Sequence, residues 1–462
     1  MKRLISLLTV VVLLCTLGAP FAFAADMEAD IVVVGGGLSG LAAAIGGADL
    51  GARVIVLEKL GMTGGTANVA GGGFIGRMVL VDESRALEND IPGYMQGWKD
   101  AMAFLPSDSG YPDYERLETM LGHVTETMHY FVDNGGEFNE NGVIGTVGGL
   151  MTKLGESARA KGVEILLETK GTELIVENGI VVGVVAEDKE GTFNVRAKNT
   201  IIATGGFTHS EELMQRFVPN VTNPPTQASI GDTGDGFAML EAVDAVAFTD
   251  NWFLCGNPEY AHRLQVQGAG ATLDMANQVM VNREGVRIAS EKESVWTILS
   301  NQMLLDDKAP YYVIHDSSNP DAIAMLEDAV AMGEAFKADT IEALAEVAGL
   351  DAQALSGTMS HYAEMVAGGE DTDFGKNADC LKPIETAPFY AVTAYPVIFG
   401  SSGGVETDID GRVLNSKGEV VEGVFAIGEM SNRYFYDLIY RGGASLVLYS
   451  AAGRLAAAAA VK

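Results

Sequence analysis

Four β-branched residues, Ile31-Val32-Val33-Val34, lead directly into Gly35-Gly36-Gly37-Leu38-Ser39-Gly40 and then into an Ala-rich stretch from Leu41 to Leu50. The order predicts a strand, a glycine turn and a helix. Gly35 permits the tight turn, Gly37 lets the backbone approach a pyrophosphate, and Gly40 lets the helix pack on the strand, with helix-start N–H groups facing the phosphates. A second strand, residues 53–57, ends in Glu58, about 20 residues after the glycines, where a carboxylate accepts ribose hydroxyls. These parts specify a dinucleotide site and leave NAD and FAD both open.

The next segment selects FAD. Gly64-Gly65-Thr66-Ala67-Asn68 and Gly71-Gly72-Gly73 make a second glycine-rich loop just beyond the acidic residue. A simple nicotinamide dehydrogenase has no need of such a loop, whereas an extended FAD requires further backbone donors along its pyrophosphate and ring.

With 462 residues, 48% of them hydrophobic, the chain is longer than one typical domain. Apolar residues Leu117, Leu121, Val124, Met128 and Phe131 recur at helical spacing. Strand-like runs follow at 164–167, 173–177, 180–187 and 193–197, with an Asn178-Gly179 turn, and suggest a small β-meander inserted in the nucleotide domain. Residues 200–206, Thr-Ile-Ile-Ala-Thr-Gly-Gly, form another strand ending in small residues, and Gly231 to Gly236 opens a helix. From about Asp250 the glycine motifs stop, and a helical stretch spans 339–366. Near Ser401 they return, through Gly403-Gly404-Val405 and Gly423 to Glu429, up to a terminal helix. The expected architecture is therefore α/β. A discontinuous Rossmann-like FAD-binding domain, residues 26–248 and 399–462, carries an inserted α+β capping domain at 249–398.

Residues 1–25 read as a Sec signal peptide, with Lys2 and Arg3, an apolar stretch from Leu4 to Leu17, and Ala22-Phe23-Ala24 as the cleavage site. The apolar stretch is shorter than the roughly 20 residues of a spanning helix. This predicts an exported, periplasmic protein with no stable membrane insertion after cleavage. The formal charge of −32 excludes nucleic acid and anionic lipid as partners, since both need basic patches. Only Cys255 and Cys380 would survive processing, either as a disulfide or as two buried thiols, and no Cys-x-x-Cys-His occurs. Covalent haem and iron–sulfur clusters are thereby excluded. Electrons must come from a separate donor protein, by a cytochrome or quinol route. The six histidines show no ligand spacing, so no metal site is expected.

Together these segments resemble the fumarate reductase/succinate dehydrogenase flavoprotein family, in its soluble flavocytochrome c and 3-ketosteroid dehydrogenase branch. The markers are the N-terminal fingerprint, Ala203-Thr204-Gly205-Gly206-Phe207, Gly234-Asp235-Gly236 and the run from Val281 through Asn282-Arg283-Glu284-Gly285-Val286 to Arg287. Residues 340–345, Asp373 to Lys376, Pro388 to Ala391 and Gly428-Glu429 complete the set. The resemblance implies non-covalent FAD, a capping domain that closes over the flavin, and a small organic substrate between them.

It further implies which residues meet FAD. They are Gly35, Gly37, Leu38, Ser39, Gly40, Glu58, Lys59, Gly64, Gly65, Thr66, Asn68, Gly71 and Gly72 in the N-terminal part. Farther on they are Ala203, Thr204, Gly205, Gly206, Asp235, Gly404, Gly428 and Glu429, the last on ribityl or ribose hydroxyls. Ser445 and Leu446 would present N–H groups to the flavin O2, where the helix's positive end stabilises charge on the reduced ring.

The chemistry departs from the fumarate pattern. The position of the proton-donating arginine falls on Val295, the histidine pair of the last segment is replaced by Phe399 and Gly400, and no His-Pro-Thr follows Asp250. Tyr440 stands where fumarate reductases hold a substrate-binding arginine, as in the ketosteroid dehydrogenases. Tyr440 with the N–H of Ala444 would then form an oxyanion hole that polarises a substrate carbonyl. Arg441 would clamp a carboxylate instead. Tyr434 and Tyr436 are candidates for the pocket wall, and Tyr260, His262, Arg263 and Lys292 for the proton donor. The leading expectation is reduction of a double bond conjugated to a carboxylate or ketone. The alternatives are a dehydrogenase that introduces a double bond beside a ketone, and a non-catalytic flavin-binding protein.

Overall fold

A computed structural model describes residues 26–462 apart from 104, 106, 220, 222–223, 250–251, 256–258, 261–277 and 292–297. The signal segment and three of the proton-donor candidates, His262, Arg263 and Lys292, lie outside the described residues, as does the side chain of Tyr260.

The strands are β1 (Met27–Val34), β2 (Val54–Leu57), β3 (Glu164–Leu166), β4 (Lys170–Glu177), β5 (Ile180–Asp188), β6 (Gly191–Ile202), β7 (Trp252–Cys255) and β8 (Glu259–Tyr260). They continue with β9 (Val279–Val281), β10 (Tyr311–His315), β11 (Ala335–Ala338), β12 (Phe389–Tyr395), β13 (Ile398–Ser402), β14 (Arg412–Leu414) and β15 (Val420–Ala426). The largest sheet has eight strands and runs β14-β15-β6-β1-β2-β3, with β4 and β5 continuing from β6. Val32, Val33 and Ile31 are fully buried, as expected for a β-branched strand covered on both faces.

Within this sheet β1, β2, β6 and β15 are parallel and in register, so Val34, Leu57, Ile202 and Ala426 reach one edge together. The four motifs singled out in the sequence follow those four carboxyl ends. That edge is where open α/β sheets bind ligands.

The terminal helix, Ala444–Val461, packs on the first helix, Leu38–Asp49. Small residues make the approach close. A Cβ at Gly453 would lie 2.4 Å from the carbonyl oxygen of Ser39 and 3.0 Å from the nitrogen of Ala43. This is the one described helix long and apolar enough to cross a membrane, and it is mostly buried here.

Three elements differ from expectation. The periodic stretch 117–131 is two helices, Tyr114–Leu121 and Val124–Asp133, because the backbone breaks at Gly122-His123. The stretch 339–366 is likewise two, Ile341–Ala348 and Ala352–Gly368, with Gly349 in left-handed conformation between them. The meander is not a separate insert. Its last strand and the apolar run 200–202 are one strand, β6, whose first half pairs antiparallel with β5 and whose residues 195–202 pair parallel with β1.

The five-stranded sheet of β8 to β12 falls wholly within 249–398, and β7 pairs antiparallel with β13 at the edge of that region. The Asn282 to Arg287 segment is anchored by charge. Asn282 Oδ1 accepts the N–H groups of Glu284 and Val286, closing a turn. The buried Arg287 guanidinium then bridges Glu291 at 2.9 Å and Asp371 at 2.7 Å, while Lys376 Nζ lies 3.1 Å from Glu291. Cys255 and Cys380 are both buried free thiols.

Candidate active site

At the carboxyl edge of the large sheet lies a cavity of about 1010 Å³. Gly35, at φ +108°, sits so close to β6 that a Cβ would meet the Ala203 carbonyl oxygen at 2.3 Å. Gly37 is the opposite case. It caps the first helix, no side chain accepts from the helix-start N–H groups, and a Cβ there would meet nothing within 4 Å. The open side of Gly37 and the uncapped N–H groups behind Leu38 and Ser39 all border the cavity, which makes a seat for an anion. Gly40 lies behind it, its missing Cβ allowing contact with Gly35.

Glu58 leaves β2 with its two carboxylate oxygens taken up by the N–H groups of Gly36 and Leu60, each at 2.8 Å. Burial pushes its carboxyl up, against the pull of those donors and of Lys59. Lys59 turns to Asp235 at 2.5 Å and Thr233 at 2.6 Å, and Lys170 reaches Asp235 at 3.0 Å. Burial raises the Asp235 carboxyl, but the two lysines outweigh it and leave it below its ordinary value.

The second glycine loop spans the cavity wall. Its start is fixed by Gly64 N–H on the Gly36 carbonyl at 2.8 Å, its far end by Ile75 N–H on the Gly443 carbonyl at 3.0 Å. Gly64, Gly65, Thr66, Gly71 and Gly72 line the cavity. Asn68 does not, because its side chain donates to the Thr63 carbonyl at 3.0 Å and braces the loop from behind.

After β6, Ala203, Thr204 and Gly205 line the cavity, while the Gly206 N–H is committed to Asp232 at 2.5 Å. Asp232 also holds Thr208, and Glu429 accepts from the N–H and hydroxyl of Ser401. Asp232 is buried, Glu429 is half-buried, and both line the cavity. Burial raises each one, and at Glu429 the neighbouring Asp232 adds to the effect. Gly404 and Gly428 are outside the lining. A Cβ on Gly404 would strike the Met430 carbonyl, and one on Gly428 the Ser39 hydroxyl, so both serve backbone packing.

At the start of the terminal helix, Tyr440, Arg441, Gly442, Gly443, Ser445, Leu446 and Tyr449 line the cavity. No side chain caps this helix. The Tyr440 phenol is buried, which raises its pKa, and it interacts with the hydroxyl and backbone of Ser445. Its ring packs edge-on against Tyr436 at 5.3 Å, and the Tyr436 hydroxyl lies 2.8 Å from Ser445 Oγ. The Arg441 guanidinium rests 5.8 Å from the Trp98 ring centroid, and no carboxylate among the described residues pairs with it.

Two expected catalytic positions lie elsewhere. The Ala444 N–H donates to the Arg441 carbonyl at 3.2 Å, so it is spent on the turn and Ala444 does not line the cavity. Tyr434 is packed away from the cavity, its hydroxyl donating to the Thr407 carbonyl and accepting the Thr407 N–H, both at 2.9 Å, with Arg116 stacked 3.7 Å from its ring. Tyr436 is fully buried behind the lining. Residues that sequence reasoning missed take part instead. Leu254 of β7, Val397 just before β13 and Phe399 within it give an apolar wall, and Arg77, Asp232 and Tyr449 also line the cavity. Val397 precedes β13 and Phe399 lies at its register shift, and nothing in the chain marked either as turned to the cavity.

Residues 119–447 match the family profile described as an FAD binding domain, and residues 30–206 match one described as an FAD dependent oxidoreductase. The chain belongs to the FAD binding domain family. A fumarate reductase (cytochrome) of Shewanella frigidimarina is 26% identical over 434 residues, which cover 89% of this chain and 74% of that one. Urocanate reductase of Eggerthella lenta is 27% identical, covering 87% of this chain and 70% of that one. Among solved structures, the 3-ketosteroid-delta4-(5alpha)-dehydrogenase of Rhodococcus jostii RHA1 in complex with 4-androstene-3,17-dione superposes with a TM-score of 0.73 at 25% identity, covering 96% and 99% of the two chains. This member of the FAD binding domain family is thus an FAD-dependent oxidoreductase acting on carbon–carbon bonds. The cavity fits the cofactor. It offers two uncapped helix starts, an open backbone at Gly37 and carboxyl groups at Glu58 and Glu429 for hydroxyl groups.

Proposed function

We propose that this flavoprotein is exported through its N-terminal signal and reduces a carbon–carbon double bond conjugated to a carboxylate or ketone, using electrons from a separate donor protein. In this reading residues 26–248 and 399–462 hold FAD and residues 249–398 cap the substrate. The observation that carries it is the adjacency of Tyr440 and Arg441, a neutral phenol and a guanidinium without a carboxylate partner, facing one cavity. Bound FAD supplies the hydride. Arg441 holds the substrate carboxylate through paired N–H donors. Tyr440, kept protonated by burial, donates to the carbonyl oxygen on which negative charge develops, a role of the oxyanion-hole kind. Leu254, Val397 and Phe399 exclude water around the reacting carbons. Fumarate is disfavoured, because Phe399 and Gly400 replace a polar pair and leave its second carboxylate facing an apolar wall.

The reverse reaction is the second reading, favoured by Tyr440 and by the likeness to a ketosteroid dehydrogenase. Anaerobic photoreduction separates the two. Reoxidation of the reduced protein by enoates or enones, faster than bleaching of the oxidised protein by the saturated partners, is the expected result. Fast bleaching by a saturated ketone with no reoxidation by any enoate or enone would reverse the assignment.

A further inference from the structure

We propose that Arg77 is a second carboxylate-binding residue, forming with Arg441 a two-arginine clamp for a monocarboxylate whose apolar body lies against Leu254, Val397 and Phe399. This rests on the reading of the site as one for conjugated acids and narrows its substrate class.

The argument begins with charge. The chain has 62 acidic residues against 30 basic ones, so a cation with no carboxylate partner is a costly exception inside a cavity. Among the described residues four basic side chains line this cavity, Lys59, Arg77, Lys170 and Arg441. Both lysines are paired with Asp235, which they share. No hydrogen bond or ion pair among the described residues engages the guanidinium of Arg77 or of Arg441, and Arg441 has only the Trp98 ring beneath it. Of the four, the two guanidiniums are left without a carboxylate partner and are available to an anion that enters the cavity.

The backbone brings them to one region. Ile75 N–H holds the Gly443 carbonyl, so the turn that carries Arg77 and the loop that carries Arg441 are tied at 3.0 Å. Gly76 makes that turn possible, since at φ +73° a Cβ would meet Val124 Cγ1 at 2.3 Å. An arginine fork suits a carboxylate better than a lysine does, because two parallel N–H groups match its two oxygens. The FAD phosphates have their own seat at the uncapped start of the first helix, which leaves the arginines free of that duty. With two guanidiniums and the apolar β7/β13 wall in one cavity, the matching ligand is a 2-enoate bearing a bulky apolar substituent, and a dicarboxylate is a poor match.

The test is titration of the oxidised, FAD-loaded protein with trans-3-phenylpropenoate, with its amide and with fumarate, read by perturbation of the flavin spectrum. The wild type should bind the phenyl acid more tightly than the amide or fumarate. R77Q should weaken the acid by on the order of tenfold or more, leave the amide unchanged, and retain FAD with unaltered affinity. Wild type that binds the amide as tightly as the acid overturns the clamp with no variant needed. R77Q that weakens acid and amide alike, or that loses FAD affinity while the acid binds as before, also overturns it and assigns Arg77 to packing or to the cofactor phosphates. Where R77Q fails to fold, R77M carries the same comparison. Wild type that neither binds nor reduces any enoate removes the proposed function as well, whereas enoate reduction with affinity independent of Arg77 removes the clamp alone.

Discussion

The N–H of Ile75 and the carbonyl of Gly443, 3.0 Å apart, join the second glycine loop to the start of the terminal helix. Through this bond the loop that lines the cavity and the segment that carries Tyr440 and Arg441 share one backbone support. A change on either side is therefore felt at the other.

Gly35 and Gly37 should respond differently to the same added methyl. Gly37→Ala keeps an allowed backbone and points the methyl into open cavity, so the apoprotein should melt within about a degree or two of wild type while FAD affinity falls at least tenfold. Gly35→Ala drives the methyl onto the Ala203 carbonyl and adds strain at positive φ, so the protein itself should be destabilised by about 2 kcal/mol or more. Thermal melts with and without FAD distinguish the two.

Tyr440→Phe removes the donor while leaving the ring on Tyr436. With the FAD content unchanged, kcat should drop by about 100-fold or more and KM should change little. Burial raises the Tyr440 pKa above the ordinary phenol value, so the proton is held to higher pH than usual. The wild-type rate should accordingly show no fall attributable to this phenol up to about pH 10. A pH profile of kcat for both proteins checks it.

Asp371→Asn should be strongly destabilising, by about 3–5 kcal/mol, because it leaves Arg287 partly uncompensated in a buried cluster. Burial raises the Asp371 carboxyl, but hydrogen bonds from Arg287 and from the Lys376 and Phe374 N–H groups overcome this and hold it at about 2. A carboxyl lowered on folding stabilises the fold above its unfolded value of about 3.9, and this contribution disappears as pH falls towards 2. Acid titration should show wild type losing stability over that window and the asparagine variant losing less.

Glu429 and Asp232 should give the opposite slope. Both carboxyls are raised on folding, so their neutral forms favour the folded state, and that contribution is lost as pH rises through the folded-state values. The melting temperature of the apoprotein should fall as pH is raised above the ordinary carboxyl range, and Glu429→Gln should flatten the fall. An unchanged pH dependence in that variant would place the titrating group elsewhere.

The strands and glycine turns of the nucleotide fold were legible because their residues are dictated locally. A β-branched run buried on both faces and a turn that tolerates no side chain leave few alternatives, as Ile31 to Gly40 illustrates. Helix ends at Gly122 and Gly349 were missed because periodicity alone carries through a single glycine. In the site, residues that act through backbone geometry were readable, and those that act through the direction of a side chain were not. Ala444 and Tyr434 look like site residues by position, yet one N–H is consumed by Arg441 and one hydroxyl by Thr407. Arg77 carries no motif at all. Its place depends on the Ile75 to Gly443 contact, which joins distant parts of the chain and has no local signature.

That the cavity takes its first wall from Val34 and its last from Tyr449 has a consequence during synthesis. No partial copy emerging from the ribosome holds both walls, so flavin loading waits for the carboxyl terminus. A copy truncated before Ala444 would be left colourless, which makes colour a report on whether translation ran to its end.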